Sequence, residues 1–411
     1  MPSEHARHWM LDPGIDFLNH GSFGATPRPV LAAQQAWRDR LEEEPVRFMV
    51  ESRQPAMDEA RRRLAAFIGA DADDLAPVPN ATAACNTVLR SLRFEAGDEL
   101  LTTDHAYNAV RNAMDHVAER DGARVVAARL PFPIPSPDEA LDAVLAALTP
   151  RTKLAVIDHV TSATAIVLPV AEIVAALDER GVDTLVDGAH APGMLDLDVG
   201  AIGAAYYAGN LHKWVCAPKG AGFLWVRRDR QERIRPLAVS HGANQPLSDR
   251  SRFRMEFDWQ GTDDPSPFLA VPAALDFGAS LLPGGWPDLR ERNRALALAG
   301  RDLLCEVTDQ PPPVPDKMLG CMASVPLEWE AEPGSPRDVD LYGDQVHGAL
   351  LDARIQVMVT PWPPRPDGRR WRRVVRVSAA AYNDLEQMVR LAATLGTILA
   401  RRPLPGRSGQ A

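Results

Sequence analysis

Thr184-Leu185-Val186-Asp187-Gly188-Ala189-His190 is the stretch on which the reading of the fold turns. A short β-prone run meets an acid and then a glycine, the pattern of a buried strand that ends in a turn. Working outward, 169–179 carries apolar residues at helical spacing and 153–158 reads as another strand. Further upstream, helices are predicted over 137–148 and 106–120 and strands over 124–128 and 98–102. Downstream, short strands are predicted over 206–208 and 223–226. Alternation of this kind implies a mostly parallel sheet with helices on both faces. Such sheets bind ligands beyond the carboxyl ends of their strands, which is where Asp187 falls.

Before this core, helices are predicted over 28–43 and 54–68, and Asn80 is a suitable N-cap for a helix that follows it. Beyond it the pattern changes. Gly261-Thr262-Asp263-Asp264-Pro265-Ser266-Pro267 is a turn-rich break. Helices predicted over 268–282, 287–306, 338–352 and 384–400, with strands over 321–327, 355–359 and 373–377, no longer alternate strictly and predict a smaller α+β domain. Pro311-Pro312-Pro313 and Trp362-Pro363-Pro364-Arg365-Pro366 read as surface loops. The expected division is an N-terminal segment 1–26, a large domain 27–264, a small domain 265–402 and a disordered tail 403–411.

The chain has 411 residues, enough for two ordinary domains. Its 45 Lys and Arg against 55 Asp and Glu leave a net charge of −10, which gives no electrostatic footprint for nucleic acid or anionic lipid. The four cysteines, at 85, 216, 305 and 321, form neither a disulfide framework nor a zinc-site spacing. There is no signal-peptide pattern and no apolar run near the roughly 20 residues of a membrane span, so a cytoplasmic protein is expected.

Three segments carry chemistry. Asp187 lies at the ligand edge of a strand. In Asn210-Leu211-His212-Lys213-Trp214, a lysine between His and Trp can be desolvated, which lowers its pKa and suits it to Schiff-base formation. In Asn80-Ala81-Thr82-Ala83, small residues and a hydroxyl at a helix start can cradle a phosphate with backbone N–H groups. Singly, these are a turn aspartate, a surface lysine and an ordinary cap. Their order, with the lysine 26 residues after the aspartate, is the one needed to hold pyridoxal 5′-phosphate (PLP).

The chain resembles the fold-type I PLP enzymes of the class V aminotransferase family, and within them the isopenicillin N epimerase-like branch. The segments that carry the resemblance are Leu18-Asn19-His20-Gly21-Ser22-Phe23-Gly24, Asp104-His105-Ala106-Tyr107-Asn108, Asp158-His159-Val160-Thr161-Ser162-Ala163-Thr164, Val186–His190, His212-Lys213-Trp214, Gly261-Thr262, and Arg376-Val377-Ser378 with Tyr382-Asn383. It implies an α/β architecture with a seven-stranded, mostly parallel sheet in the large domain, and a small C-terminal α+β domain begun by an interdomain helix.

The resemblance implies these roles. Lys213 carries the cofactor covalently and then acts as general acid/base. Asp187 pairs with the pyridine nitrogen and keeps the ring an electron sink. His190 hydrogen-bonds the phenolic oxygen, Ser162 makes a polar contact to it, and His105 stacks on the ring, with Tyr107 the alternative. The phosphate is met by the N–H groups of Ala81, Thr82 and Ala83, the Thr82 hydroxyl, and the side chains of Asn210 and His212. Thr262 reaches the phosphate of a neighbouring subunit, which implies a homodimer with composite sites. Arg376 pairs with the substrate carboxylate. The 1–26 segment folds over the site, offering Asn19, His20 and Ser22, with Tyr107, to substrate. Two positions depart from the family pattern: Ala165 stands where Gly is usual, where its methyl would tighten the pocket, and Asp263 where close relatives often carry Arg.

The expected reaction is labilisation of a bond at the α-carbon of a small or modified L-amino acid, epimerase-like by resemblance and placed in specialised metabolism. A cysteine-conjugate C–S β-lyase, a decarboxylation-coupled oxidative deaminase and a PLP-fold protein without turnover stay open. Epimerisation needs a second acid besides Lys213, with Tyr107, His20 and Tyr207 as candidates. Cysteine desulfuration is disfavoured, because it needs a mobile nucleophilic cysteine; Cys321 precedes a strand-like run and Cys305 reads as helical core.

Overall fold

The computed structural model describes residues 3–247, 249–327, 344–362 and 372–400. Seven strands form the main sheet: β1 (Leu75–Val78), β2 (Glu99–Thr103), β3 (Arg124–Ala128), β4 (Thr152–Asp158), β5 (Asp183–Gly188), β6 (Tyr206–Asn210) and β7 (Gly222–Val226). Their order is β1-β7-β6-β5-β4-β2-β3. All neighbours are parallel except β7, which runs antiparallel to both β1 and β6. The expected seven-stranded, mostly parallel sheet is therefore present. β1 was not anticipated: it is four residues long and contains Pro77, which an edge strand tolerates.

The register decides which side chains meet. Asp158 pairs with Asp187, and Asp187 with Ala208, so both carboxyls stand side by side on one face at the carboxyl ends of β4 and β5. That face is covered by helices α1 (Ala81–Ser91) and α2 (Asn108–Asp121), whose Cys85, Val88, Val110 and Met114 pack with Val156, Leu185 and Ala208. Because side chains alternate along a strand, Val186 and Tyr207 point to the opposite face, into the core with Phe223 and Trp225.

After the sheet, the helix expected over 268–282 is two pieces, Ser266–Leu269 and Val271–Ser280; Pro272, in the first turn of the second piece, has no N–H to carry the ladder through. A long helix, α3 (Trp286–Thr308), and a last one, α4 (Leu385–Ala400), pack on a three-stranded antiparallel sheet of β8 (Met322–Leu327), β9 (Met358–Trp362) and β10 (Arg372–Ser378), with β10 in the centre. The strand expected over 355–359 divides: Ile355–Gln356 pairs in parallel with Asp16–Phe17, and Met358 starts β9. Trp362 corrects the reading of a surface loop, since it ends β9 and is buried. Residues 338–343 of the expected helix, the 363–366 stretch and the expected tail lie outside the described residues.

Candidate active site

The start of α1 is built by two asparagines. Asn80 accepts the Ala83 N–H at 2.8 Å, and Asn210, at the end of β6, accepts the Ala81 N–H at 2.8 Å. The helix can approach this closely because Gly222 has no side chain; a Cβ there would stand 2.8 Å from the Asn80 Cα. Of the three N–H groups expected to face a phosphate, Ala81 and Ala83 thus donate within the protein. The Thr82 N–H has no acceptor among the described residues, and its hydroxyl lies beside it at the positive end of the helix. His212 is half-buried nearby in sequence, and its Nδ1 has no hydrogen-bond partner among the described residues.

Asp187 accepts the Ala189 N–H at 3.1 Å. Burial pushes its carboxyl above the usual range. Asp158 is pushed up as well, first by burial and then by the Asp187 charge beside it, so the two carboxyls titrate as a pair. Lys213 lies in the loop after β6, half-buried, with its pKa lowered to about 7. Loss of water is the main cause, the Arg376 charge adds to it, and Asp187 and Asp158 oppose it. Its Nζ is 3.1 Å from His190 Nε2, and the indole Nε1 of Trp214 is 3.5 Å from His190 Nδ1. Burial holds His190 neutral.

His105 is buried after β2. Its Nδ1 meets the Thr164 hydroxyl at 2.8 Å, which in turn meets Thr161 at 2.8 Å, and the edge of Trp362 packs 4.3 Å from its ring. Burial lowers its pKa to about 4, and its Nε2, 3.9 Å from the Asp104 carboxylate, has no hydrogen-bond partner among the described residues. Tyr107, two residues on, is 42% exposed.

Arg376, buried in central strand β10, reaches across to the 158–164 loop and to the N-terminal turn. Nη1 donates to the Ser162 carbonyl at 2.6 Å and lies 3.4 Å from its hydroxyl; Nη2 donates to Ser22 Oγ at 3.0 Å and Asn19 Oδ1 at 3.2 Å. Gly21 allows this, since a Cβ there would meet Met322 Sδ at 2.4 Å. Asn19, Ser22, Ser162 and Arg376 are thus brought together. His20 is placed differently: both its ring nitrogens are engaged, by Tyr382 and by the Lys213 carbonyl. Tyr207 meets His159 Nδ1 at 2.8 Å on the far face of the sheet from Asp187, which removes it as a second acid. Thr262 is exposed, beside Gly261 with φ of +122°. Ala165 has φ of +58°, the left-handed region that favours glycine, and lies in a buried cluster with Met194 and Trp214. Sequence reasoning missed Asp158, Thr164, Trp214, Tyr382 and Trp362. Asp158, Thr164, Trp214 and Tyr382 lie in segments that carry the resemblance but were given no contact of their own, while Trp362 had no signal.

The arrangement fits PLP. Two buried imidazole nitrogens have no hydrogen-bond partner among the described residues, a lysine is tuned towards its neutral amine, an acid lies at a strand end, and a helix start keeps a free donor. Fold and site together define a fold-type I PLP-dependent enzyme. The aminotransferase class-V model matches residues 23–277, and the chain belongs to that family. It is 36% identical to an isopenicillin N epimerase of Streptomyces clavuligerus over 96% of this chain and 98% of that protein. It is 33% identical to a probable chloroplastic L-cysteine desulfhydrase of Arabidopsis thaliana over 79% and 70%. Among solved structures, a mutant of C-DES with glycine covalently linked to its PLP cofactor superposes with a TM-score of 0.75 at 24% identity, covering 93% of this chain and 97% of that one. No helix among the described residues is long and apolar enough to cross a membrane.

Proposed function

We propose that the chain binds PLP through Lys213 and removes the α-proton of a small or modified L-amino acid, with epimerisation as the outcome. The observation that carries the reading is the convergence of a lysine with pKa near 7, a buried acid on the neighbouring strand, and a buried arginine whose fork opens between the Ser162 loop and the Asn19–Ser22 turn. PLP supplies an electron sink that makes a bond at the amino-acid α-carbon labile. Asp187 would sit on its pyridine nitrogen, His190 and Ser162 on its phenolic oxygen, His105 on its face, and Thr82, Asn210 and His212 at its phosphate. Arg376 orients the substrate carboxylate by a two-point pair. Lys213 would take the α-proton on its own side.

Similarity along nearly the whole length of the epimerases supports epimerisation over the alternatives. Return of a proton on the second face needs another acid. Of the candidates, Tyr107 alone has a partly exposed side chain outside the packed core. C–S β-elimination is the second reading, supported by the desulfhydrase relatives. Desulfuration by a protein thiol fits poorly: Cys85, Cys305 and Cys321 are buried, and burial raises the Cys216 thiol to about 12. A homodimer in which Thr262 reaches the neighbouring site, and a cytoplasmic location, complete the proposal; the exposure of the Gly261-Thr262 turn is compatible with the first.

The deciding experiment incubates holoenzyme with candidate amino acids in D₂O and follows products by mass spectrometry. Deuterium at the α-carbon with the amine retained supports epimerisation, and Tyr107→Phe should then slow inversion more than exchange. Pyruvate and a thiol establish the lyase instead. An aldehyde with loss of CO₂ and ammonia establishes the deaminase.

A further inference from the structure

We infer that Tyr382 and His20 are a positioning pair that holds the main chain of Lys213, registering the lysine to the same N-terminal turn that hydrogen-bonds Arg376. The inference rests on the proposed role of Lys213 as the cofactor lysine.

His20 is fully buried. Its Nε2 lies 2.9 Å from the Lys213 carbonyl oxygen and its Nδ1 lies 2.7 Å from the Tyr382 hydroxyl. A carbonyl oxygen only accepts, so Nε2 carries the proton. In a neutral imidazole Nδ1 is then a lone pair, and the Tyr382 O–H is the donor. The chain of donation has one direction: tyrosine to histidine, histidine to carbonyl. Burial supports this by keeping His20 neutral, with a pKa lowered to about 4, and Tyr382 protonated. The same carbonyl accepts the Cys216 N–H at 2.9 Å, so both its lone pairs are used and the peptide plane after Lys213 is pinned.

The surrounding contacts brace the same loop. Lys219 Nζ donates to the Gly24 carbonyl at 3.1 Å, and Thr26 donates to the Ala217 carbonyl at 3.1 Å. His20 begins the one-turn helix His20–Phe23, which also carries Ser22, and Asn19 precedes it; these two accept from Arg376 Nη2. Tyr382 follows the strand that carries Arg376. One turn of chain therefore touches both the residue proposed to hold the substrate carboxylate and the backbone of the residue proposed to take its proton. His20 and Tyr382 touch neither reacting atom; they act through Lys213.

The test uses full-length holoenzyme carrying Tyr382→Phe, His20→Leu or His20→Gln. The readouts are the visible circular dichroism of the bound cofactor, kcat and KM separately, and the borohydride-reducible linkage mapped by peptide mass spectrometry. Tyr382→Phe and His20→Leu should keep the linkage at Lys213, alter the visible signal, and lower kcat by about tenfold or more with KM changed by no more than about threefold. His20→Gln, whose amide can donate to the Lys213 carbonyl, should recover most of both. A Tyr382→Phe enzyme with wild-type visible signal and kcat would overturn the pair, as would equal losses in His20→Gln and His20→Leu. If His20→Leu does not fold, Tyr382→Phe, which deletes one oxygen, decides alone. A wild-type linkage mapped to another lysine would instead remove the functional reading beneath the inference.

Discussion

Lys213 Nζ lies 3.1 Å from His190 Nε2, and the direction of that hydrogen bond follows from Trp214 on the other side of the ring. An indole N–H only donates, so His190 Nδ1 accepts and Nε2 carries the proton. The lysine then accepts through its lone pair, which requires the neutral amine. The lowered lysine pKa of about 7 agrees with this assignment.

The first prediction follows from that lone pair. An ammonium cannot attack an aldehyde, so the apoprotein should capture PLP slowly below pH 6, faster as pH rises through about 7, and at a constant rate above it. Stopped-flow absorbance across that range checks it. A midpoint near the ordinary lysine value would contradict the environment described for Lys213. Lys213→Ala should bind PLP without any borohydride-reducible linkage.

Asp187→Asn keeps the shape of the side chain and deletes its charge. Cofactor attachment at Lys213 should persist, while exchange of the substrate α-proton with D₂O should slow by about 100-fold or more, the range for losing one charge-stabilising group. Asp158→Asn should do far less, because Asp158 lies one strand further from the Lys213 loop than Asp187. Equal losses in the two variants would contradict the distinct role given to Asp187.

Arg376→Ala should raise the KM for the amino acid by about 100-fold, as removal of one partner from a buried charged pair does, while PLP affinity stays within a few-fold. Arg376→Lys should not restore binding, because a single ammonium cannot reproduce the two-point fork that reaches Ser162 and Ser22 at once. Isothermal titration with a non-reacting amino acid separates the two affinities.

Two glycines make a controlled pair. Gly24 has φ of +70° and ψ of 166°, and a Cβ there would stand 1.9 Å from the His212 carbonyl oxygen. Gly97 has φ of +89° with nothing within 4 Å of a Cβ. Gly97→Ala should cost about 1–2 kcal/mol of stability and leave activity intact. Gly24→Ala should cost more, since backbone strain and collision add, and should also displace the lysine loop and abolish turnover. Thermal melts and kcat measured together distinguish the two.

Much of this molecule was readable from its residues. The runs at 153–158 and 183–187 gave strands at their observed positions because buried parallel strands carry dense apolar sequence, and the half-buried edge strand 124–128 showed in its paired valines. Asn80 identified the start of its helix because a cap is a local device. Leu75–Val78 was invisible because its pairing with β7, across some 150 residues of chain, and not its own composition, makes it a strand. Trp362 looked like part of a proline-rich loop, and its burial against His105 is a tertiary fact with no local signature. His20 illustrates the same limit: the residue was identifiable as important, but which atoms its two nitrogens would meet depended on Lys213 and Tyr382, both distant in sequence.

Asp16 and Phe17 pair with Ile355 and Gln356, and the Leu18 carbonyl accepts the Ser378 N–H. Residues 16–18 therefore find their place only after residues 355–378 have been made. On the ribosome, an emerging polypeptide can build the sheet and expose its lysine without possessing an assembled pocket, because the turn that closes it has no seat until the distal strand arrives. The turn at 19–24, and with it the partners of Arg376, is therefore seated only once residues 355–378 are in place.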